Sequence, residues 1–209
     1  MKVLGRASSI NVRKVLWTAA EAGLAFERED WGIGFRSTRE ETFLALNPNA
    51  LVPVLIDDRD GDFVLWESNT ICRYLAAQAG RTDLLPATPR ARAEVERWMD
   101  WQAGELNNAW RYAFMALVRL SPAHTDDNAI AASAAEWNRH MALLDAHLER
   151  TGAHVAGADF TLADIVLGVS AQRWFATPIE RPALRAVQAW FARVSTRPAY
   201  VAQAIGAHP

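Results

Sequence analysis

The stretch "VPVLIDDRDGDFVLWES", residues 52–68, decides the fold of the first part of the chain. It holds two apolar runs rich in β-branched and aromatic residues, and the Asp/Gly-rich residues 58–61 separate them. Strand-forming runs on either side of a polar turn are typical of two antiparallel strands. The sequence therefore predicts a β-hairpin at this place.

Some of the segments around the hairpin have helical periodicity, and others have strand periodicity. Residues 12–22 carry apolar side chains at the i, i+3, i+4 and i+7 positions, which predicts a helix that ends at Gly23. Further predicted elements are strands at 1–4 and 25–30 and helices at 39–46 and 68–79. The resulting order, βαβαββα, predicts an α/β unit with a mixed sheet.

Helical periodicity dominates the rest of the chain. Predicted helices cover residues 90–120, 127–151, 161–175 and 182–195, and the last begins at a proline suited to a first helical turn. The stretch "LLPATP" has two prolines and no periodicity, which favours a linker. The predicted organisation is an α/β domain at 1–80, a linker at 81–89 and an all-helical domain at 90–209.

Composition narrows the class of protein. The 209 residues are 51% hydrophobic and 22% charged, enough apolar material for a full core. The formal charge is −2 and like charges do not cluster, so neither nucleic acid nor an anionic membrane is an expected partner. A small molecule or another protein is the expected partner instead.

Cysteine, histidine and hydropathy patterns argue against a disulfide-bonded, secreted, membrane-spanning or metal-binding protein. Cys72 is the sole cysteine, which excludes an internal disulfide and favours a reducing cytoplasm. A signal peptide or membrane span is not expected, because long apolar stretches are missing. His140 and His147 could share a helix face, but they have no Cys or carboxylate partners at ligand spacing, so no metal site is predicted.

The stretch "NPNALVPVL", residues 47–55, places a proline at the start of a predicted strand. Proline cannot donate to a sheet ladder, so Pro53 should be the first residue of the strand and Val52 should lie outside regular pairing. The backbone N–H and C=O of Val52 could then pair with an extended, peptide-like ligand. The alternative is a simple tight turn that enters the strand.

The stretch "ESNTICRYL", residues 67–75, places Glu67 and Ser68 where a strand gives way to a helix. Ser68 suits the N-cap position, and the helix N-terminus behind it favours a bound carboxylate. Glu67 beside that anion site could bind an ammonium group, so the pair suits the α-carbon of an amino acid. Simple capping by Ser68 and a solvated Glu67 are the alternative.

The stretch "DFTLADIVLG", residues 159–168, carries Thr161 and Asp164 three residues apart ahead of an apolar run. This spacing is the capping-box pattern in its Asp form. We expect these two residues to stabilise the start of a helix and to take no part in catalysis.

These three stretches, in this order, resemble the cytosolic glutathione transferase family along the whole chain. The resemblance implies an N-terminal thioredoxin-like domain, with a cis-proline matched by Pro53, and a helical C-terminal domain. It implies that Val52 pairs with the cysteinyl backbone of glutathione and that Glu67 and Ser68 bind its γ-glutamyl end. Members often have glycine where this chain has Ala50. Alanine is tolerable at this position if its φ angle is negative.

The resemblance also implies a role for "GRASSINVRKVLW", residues 5–17. This loop supplies the hydroxyl or amide that holds the glutathione sulfur in the family. The chain has no tyrosine before Tyr74, and its stretch is similar to bacterial, nu-like or theta-like members. Ser9 and Asn11 match their spacing, whereas a serine-only geometry would use Ser8, and Ser9 could also simply cap the helix.

Further expectations follow from the resemblance, including Arg36 and Arg39 as candidates for the glycyl carboxylate. Trp110, Arg111 and Phe114 are candidates for the wall of an apolar electrophile site, with core packing as the alternative for the two aromatic residues. Glutathione as cosubstrate, no metal, a homodimer and a cytoplasmic detoxification role are also implied. Competing functions are a glutathione-dependent isomerase or dehalogenase and a non-catalytic binding module.

The expected dimer interface uses the helix that begins near Arg90 and the helix of "ESNTICRYL". In the family, a polar residue of the partner's first long helix sometimes touches the γ-glutamyl group. Asp100 and Gln102 are the candidates for that contact in this chain.

Overall fold

A computed structural model describes residues 1–59 and 61–204. Residues 1–86 form one compact unit together with the segment that starts at Arg197, and residues 87–196 form the other. The predicted domains of 1–80 and 90–209 differ from this division at the C-terminal end of the chain. Asp60 of the predicted turn and residues 205–209 of the predicted helical domain lie outside the described residues.

The first unit contains a mixed four-stranded sheet. Its strands are β1 (Lys2–Leu4), β2 (Glu27–Glu29), β3 (Val54–Asp57) and β4 (Phe63–Trp66). Their order in the sheet is β2-β1-β3-β4, with β1 and β2 parallel and the other neighbours antiparallel. The predicted hairpin is β3 and β4, in which Val54 lies opposite Trp66.

Four helices of the first unit lie among the described residues. They are α1 (Ile10–Glu21), α2 (Glu41–Leu44), α3 (Ser68–Gln78) and α9 (Pro198–Gln203). Helices α1 and α3 pack against each other, and Val15, Ile71 and Leu75 are fully buried. The sequence patterns predicted the first three of these helices but not α9.

Helix α9 belongs to the first unit because its side chains pack on α1. The ring of Tyr200 meets the ring of Trp17 edge to face, with 4.8 Å between the centroids. Arg197, which precedes α9, donates two hydrogen bonds to the carboxylate of Glu21. These contacts correct the prediction that the whole of 90–209 forms the helical domain.

Among the described residues of the second unit, the regular elements are all helices, joined by loops. Its α-helices are α4 (Pro89–Trp101), α5 (Asn107–Leu117), α6 (Asp127–Thr151), α7 (Leu162–Ala176) and α8 (Arg185–Val194). A π-helical segment, Gln102–Leu106, joins α4 to α5, so the long helix predicted at 90–120 contains one irregular turn. None of the described helices is long and apolar enough to span a membrane.

Helix α8 begins three residues later than predicted. The carboxylate of Asp145 on α6 accepts a hydrogen bond from the backbone N–H of Val187 at 2.8 Å, within the first turn of α8. A contact from another helix therefore fixes the start at Arg185, and Pro182 lies in the preceding loop. The periodicity of the sequence could not predict this contact, because Asp145 and Val187 are far apart along the chain.

The predicted capping box is present at the start of α7. The carboxylate of Asp164 accepts hydrogen bonds from the backbone N–H of Thr161 at 2.9 Å and from its hydroxyl at 3.3 Å. The other oxygen accepts from the indole N–H of Trp190 at 2.8 Å and from the backbone N–H of Val155 at 3.0 Å. Asp164 is fully buried, so it joins α7 to α8 and to the loop before α7.

Candidate functional site

A pocket in the first unit brings together most of the residues that the sequence singled out there. It is lined by Asn11, Asn47, Asn49, Leu51, Val52, Pro53, Glu67 and Ser68. These residues come from the first turn of α1, from the loop before β3 and from the junction of β4 with α3. Three segments that are far apart in sequence therefore meet at one polar site.

The Val52–Pro53 peptide bond is cis, and the sheet ladder begins one residue later at Val54. Val52 therefore lies outside the paired part of β3, as predicted, and it is half-buried at the pocket wall. Pro53 precedes the strand and is not its first residue, which corrects the predicted position by one residue.

Asn47 shapes the loop that leads to Val52, and sequence reasoning missed its role. Its side chain is 3% exposed and donates to the backbone C=O of Leu51 at 2.8 Å. Its oxygen accepts from the backbone N–H of Asn49 at 3.0 Å. The Asn-Pro sequence was a usable signal, since an Asn side chain often bonds the backbone two residues on.

Ala50 has a φ angle of +56°, so the condition under which alanine could replace glycine here without strain is not met. The loop needs a left-handed residue between Asn49 and Leu51. A Cβ in this region clashes with the backbone and costs roughly 1–2 kcal/mol relative to glycine. The chain keeps alanine there at that cost.

Gly5 allows the loop before α1 to approach Val52. Its φ is +148°, and a Cβ added there would lie 2.5 Å from Cγ2 of Val12 and 3.0 Å from Cβ of Val52. Real side chains do not tolerate the shorter distance, so glycine is required here. The backbone of the opening loop can thus come within contact distance of the pocket wall.

Glu67, and not Ser68, is the N-cap residue of α3. Its φ and ψ are +73° and 106°, a strained conformation that often marks functional positions. Ser68 is the first helical residue and is 7% exposed, which corrects the predicted N-cap. The first backbone N–H groups of α3 have no partner within the helix, an arrangement that favours a bound anion.

The thiol-ligand candidates lie at the start of α1. Asn11 is in the first turn and lines the pocket. Ser9 is the N-cap residue, and within the described part of the chain its hydroxyl makes no capping hydrogen bond. Side-chain capping therefore does not account for Ser9, although neither Ser9 nor Ser8 is among the described residues that line the pocket.

Arg36 contacts acidic and aromatic neighbours outside the pocket lining. It donates to Glu29 at 3.1 Å and to Glu40 at 2.9 Å, and its guanidinium carbon lies 3.9 Å from the ring centre of Trp31. The hydrogen bond to Glu40 is the main cause that raises the pKa of Arg36. Neither Arg36 nor the exposed Arg39 is among the described lining residues, so their role stays a prediction.

Trp110 and Phe114 are core residues of the second unit, at 8% and 3% exposure. The guanidinium carbon of Arg173 lies 4.6 Å from the Trp110 ring centre and 4.0 Å from that of Phe114. Both rings are therefore mostly covered by neighbouring side chains. This favours core packing over a place in the wall of an electrophile site. Arg111 points outward and is exposed, and its role in an electrophile site stays a prediction.

Gln102 cannot be the residue that reaches a partner's ligand. It is fully buried and donates to Ser170 and to Asn107, each at 3.0 Å. It starts the π-helical segment, so its side chain serves the packing of the helical unit. Asp100 is exposed and remains the candidate for that contact.

Two family profiles match the chain. The profile for the N-terminal domain of glutathione S-transferase matches residues 8–78, and the profile for the C-terminal domain matches residues 127–193. Glutathione S-transferase GstB of Escherichia coli (strain K12) is 42% identical over 199 residues, which are 88% of this chain and 95% of the relative. Glutathione S-transferase 3 of Zea mays is 35% identical over 208 residues, 96% of this chain and 91% of the relative.

A solved structure shows the same similarity in three dimensions. The theta class glutathione S-transferase from Xanthomonas axonopodis pv. citri, with glutathione bound, has a TM-score of 0.91 and 41% identity. The match covers 99% of this chain and 97% of that one. The chain therefore belongs to the glutathione S-transferase family. The predicted fold class, enzyme class and cosubstrate are confirmed with it.

Proposed function

We propose that the pocket of the first unit binds glutathione and that the enzyme directs its thiolate at an apolar electrophile, a disulfide or a peroxide. The observation that carries this proposal is the meeting of Val52 with Glu67 and Ser68 at one pocket. Val52, which lies just before β3 and outside its ladder, suits pairing with the cysteinyl backbone. The strained Glu67 suits the ammonium of the γ-glutamyl group, and the start of α3 suits its carboxylate.

The thiol is activated by preferential binding of its anion. A free thiol has a pKa of about 8.5, so a pKa of about 6.5 needs about 2.7 kcal/mol of thiolate stabilisation. Hydrogen bonds from Ser9 and Asn11, together with the N-terminus of α1, supply an effect of this size. The thiolate sulfur then forms a bond to the electrophilic carbon, and the leaving group departs with the bonding electron pair.

Four more specific statements belong to the same proposal. The apolar electrophile lies against the second unit near Arg111, and the glycyl carboxylate pairs with an arginine of residues 36–39. The protein is a homodimer in which helices α3 and α4 contribute to the interface and Asp100 approaches the partner's ligand. It acts in detoxification in the cytoplasm.

Two measurements test the glutathione site. We expect the protein to be retained on immobilised glutathione, and the thiolate absorbance of the bound ligand to titrate well below the pKa of free glutathione. Ser68→Ala should weaken the calorimetric dissociation constant and leave the thiol pKa nearly unchanged, because Ser68 lies at the γ-glutamyl end. Absence of retention by the wild type would instead support a non-catalytic module.

The second substrate and the assembly are tested separately. A panel of aryl halides, disulfides and hydroperoxides with glutathione identifies the reaction that the enzyme prefers. Light scattering at micromolar concentration should give twice the chain mass of 23.2 kDa. A mass equal to one chain would overturn the dimer and leave the glutathione site untouched.

A further inference from the structure

Arg13 is a buried cation that the proposed function does not use. It lies on α1, one turn after the N-cap residue Ser9, and is 3% exposed. A charged side chain is costly to bury, and arginine is rarely found inside a protein unless specific partners hold it. The partners of Arg13 therefore indicate what the chain gains from this position.

One partner of Arg13 is the backbone of the loop before α1. The Nε–H of its guanidinium donates to the C=O of Ala7 at 3.0 Å. The two candidate ligands of the glutathione sulfur, Ser9 and Asn11, both lie between Ala7 and Arg13 along the chain. The hydrogen bond thus closes a short segment that contains both candidates.

The same hydrogen bond fixes the direction of one peptide group. The chain turns here, with Ala7 and Ser8 at the centre of the turn, and the N–H of Ser9 donates to the C=O of Arg6 at 3.1 Å. Because the C=O of Ala7 points at Arg13 and the peptide is trans, the N–H of Ser8 points the opposite way. Turns of types I and II differ in the direction of this central peptide, so the hydrogen bond selects one of the two arrangements.

Backbone contacts fix the loop on the other side of the turn. The N–H of Arg6 donates to the C=O of Trp31 at 3.1 Å, just after the end of β2. This contact anchors the chain before Ala7, and the hydrogen bond from Arg13 anchors it after the first half of the turn. Together they define the path by which the chain enters α1.

We infer that Arg13 is a positioning residue for the glutathione thiolate, acting through the C=O of Ala7 on the placement of Ser9 and Asn11. The inference rests on the proposed glutathione site and assigns a residue behind its sulfur ligands. Hydrogen bonds weaken steeply when their angle departs from linearity, so a small shift of this loop should reduce the stabilisation of the thiolate. The γ-glutamyl and cysteinyl backbone groups use other segments of the first unit, so their binding should change little.

The inference is tested with glutathione and with S-methylglutathione, which has no ionisable thiol. Thiolate absorbance gives the pKa of bound glutathione, and calorimetry gives the dissociation constants of both ligands. We expect Arg13→Met to raise the pKa of bound glutathione by about one unit, because weaker hydrogen bonds to the anion favour the neutral thiol. The dissociation constant of S-methylglutathione should change less than about twofold.

Two further variants separate the hydrogen bond from the charge and from nonspecific effects. Arg13→Gln has an N–H donor at the same distance along the side chain as Nε of arginine but no charge, so its bound glutathione should titrate like that of the wild type. It also tests the inference if Arg13→Met fails to fold. Lys2→Met removes another cation of the first unit, whose side chain is 42% exposed and pairs with Glu29, and it should leave the thiol pKa and both dissociation constants unchanged.

Each outcome decides a separate point. A raised thiol pKa in Arg13→Met, with a wild-type pKa in Arg13→Gln, supports the role of the hydrogen bond. Equal rises in both variants would show that the charge of Arg13 acts on the thiolate directly. An unchanged pKa in Arg13→Met, or equal losses of affinity for both ligands, would show that Arg13 only maintains the structure of the unit. These last results overturn the inference while the glutathione site stands, whereas a wild type that binds neither ligand overturns the proposed function itself.

Discussion

The carboxylate of Glu21 accepts two hydrogen bonds from the guanidinium of Arg197, at 2.7 and 2.8 Å, and so joins the end of α1 to the start of α9. It also accepts from the indole N–H of Trp17 at 3.0 Å. Burial alone would raise the pKa of Glu21, but these hydrogen bonds outweigh it and hold the pKa below its usual value of 4.5. The pair closes the first unit across 176 residues of sequence.

We expect Arg197→Met to lower the free energy of unfolding by about 1–2 kcal/mol near pH 7, because it removes a bidentate partner from a mostly buried carboxylate. A carboxyl group with a lowered folded-state pKa stabilises the fold above its unfolded-state pKa and loses this effect as the pH falls through the folded-state value. The difference between wild type and variant in urea unfolding should therefore shrink below about pH 4.

Arg97→Met is the matched control for this pair. Arg97 pairs with Glu94 on the surface of α4, where the two side chains are 58% and 46% exposed. Exposed pairs of this kind contribute little, so the loss should be less than about 0.5 kcal/mol. Similar losses for both arginine variants would contradict the special role of Arg197.

Ala50→Gly should stabilise the protein by about 1 kcal/mol. The φ of Ala50 is +56°, and glycine adopts this conformation without the Cβ clash, although it gains entropy in the unfolded chain. The free energy of unfolding is measured in urea. Its slope with urea concentration should be the same for the variant and the wild type. Ala45→Gly is the control, because Ala45 has a φ of −63° and should lose stability on the same change.

Asp164→Ala should cost about 3–5 kcal/mol, because it leaves buried N–H groups of Val155, Thr161 and Trp190 without their acceptor. Thermal or urea unfolding, followed by circular dichroism, gives the loss. Asp159→Ala changes an exposed carboxylate five residues earlier and should leave stability within about 0.5 kcal/mol. A small effect at Asp164 would show that water replaces the lost carboxylate.

Ser9→Ala and Asn11→Ala should each raise the pKa of bound glutathione by about one to two units, since a hydrogen bond to a charged group contributes ~1.5–3 kcal/mol. Turnover near neutral pH should fall accordingly. Ser8→Ala should titrate like the wild type. A large pKa rise in Ser8→Ala alone would place the sulfur ligand one residue earlier in the loop.

Local patterns predicted much of this molecule. Alternating apolar residues, a polar turn and proline positions predicted the βαβαββα order, the hairpin and a Val52 that lies outside the ladder. These features depend on neighbours within a few residues, so the sequence determines them directly. The capping box of Thr161 and Asp164 is local in the same way.

Features decided by distant contacts could not be predicted. The start of α8 depends on Asp145 of another helix, and the place of α9 depends on Glu21 and Trp17. The positive φ values of Ala50 and Glu67 arise from the path of loops that must close around the pocket. The burial of Lys14 beside Asn69 likewise exists only after α1 packs on α3, because periodicity assigns a residue to a face but does not identify what covers that face.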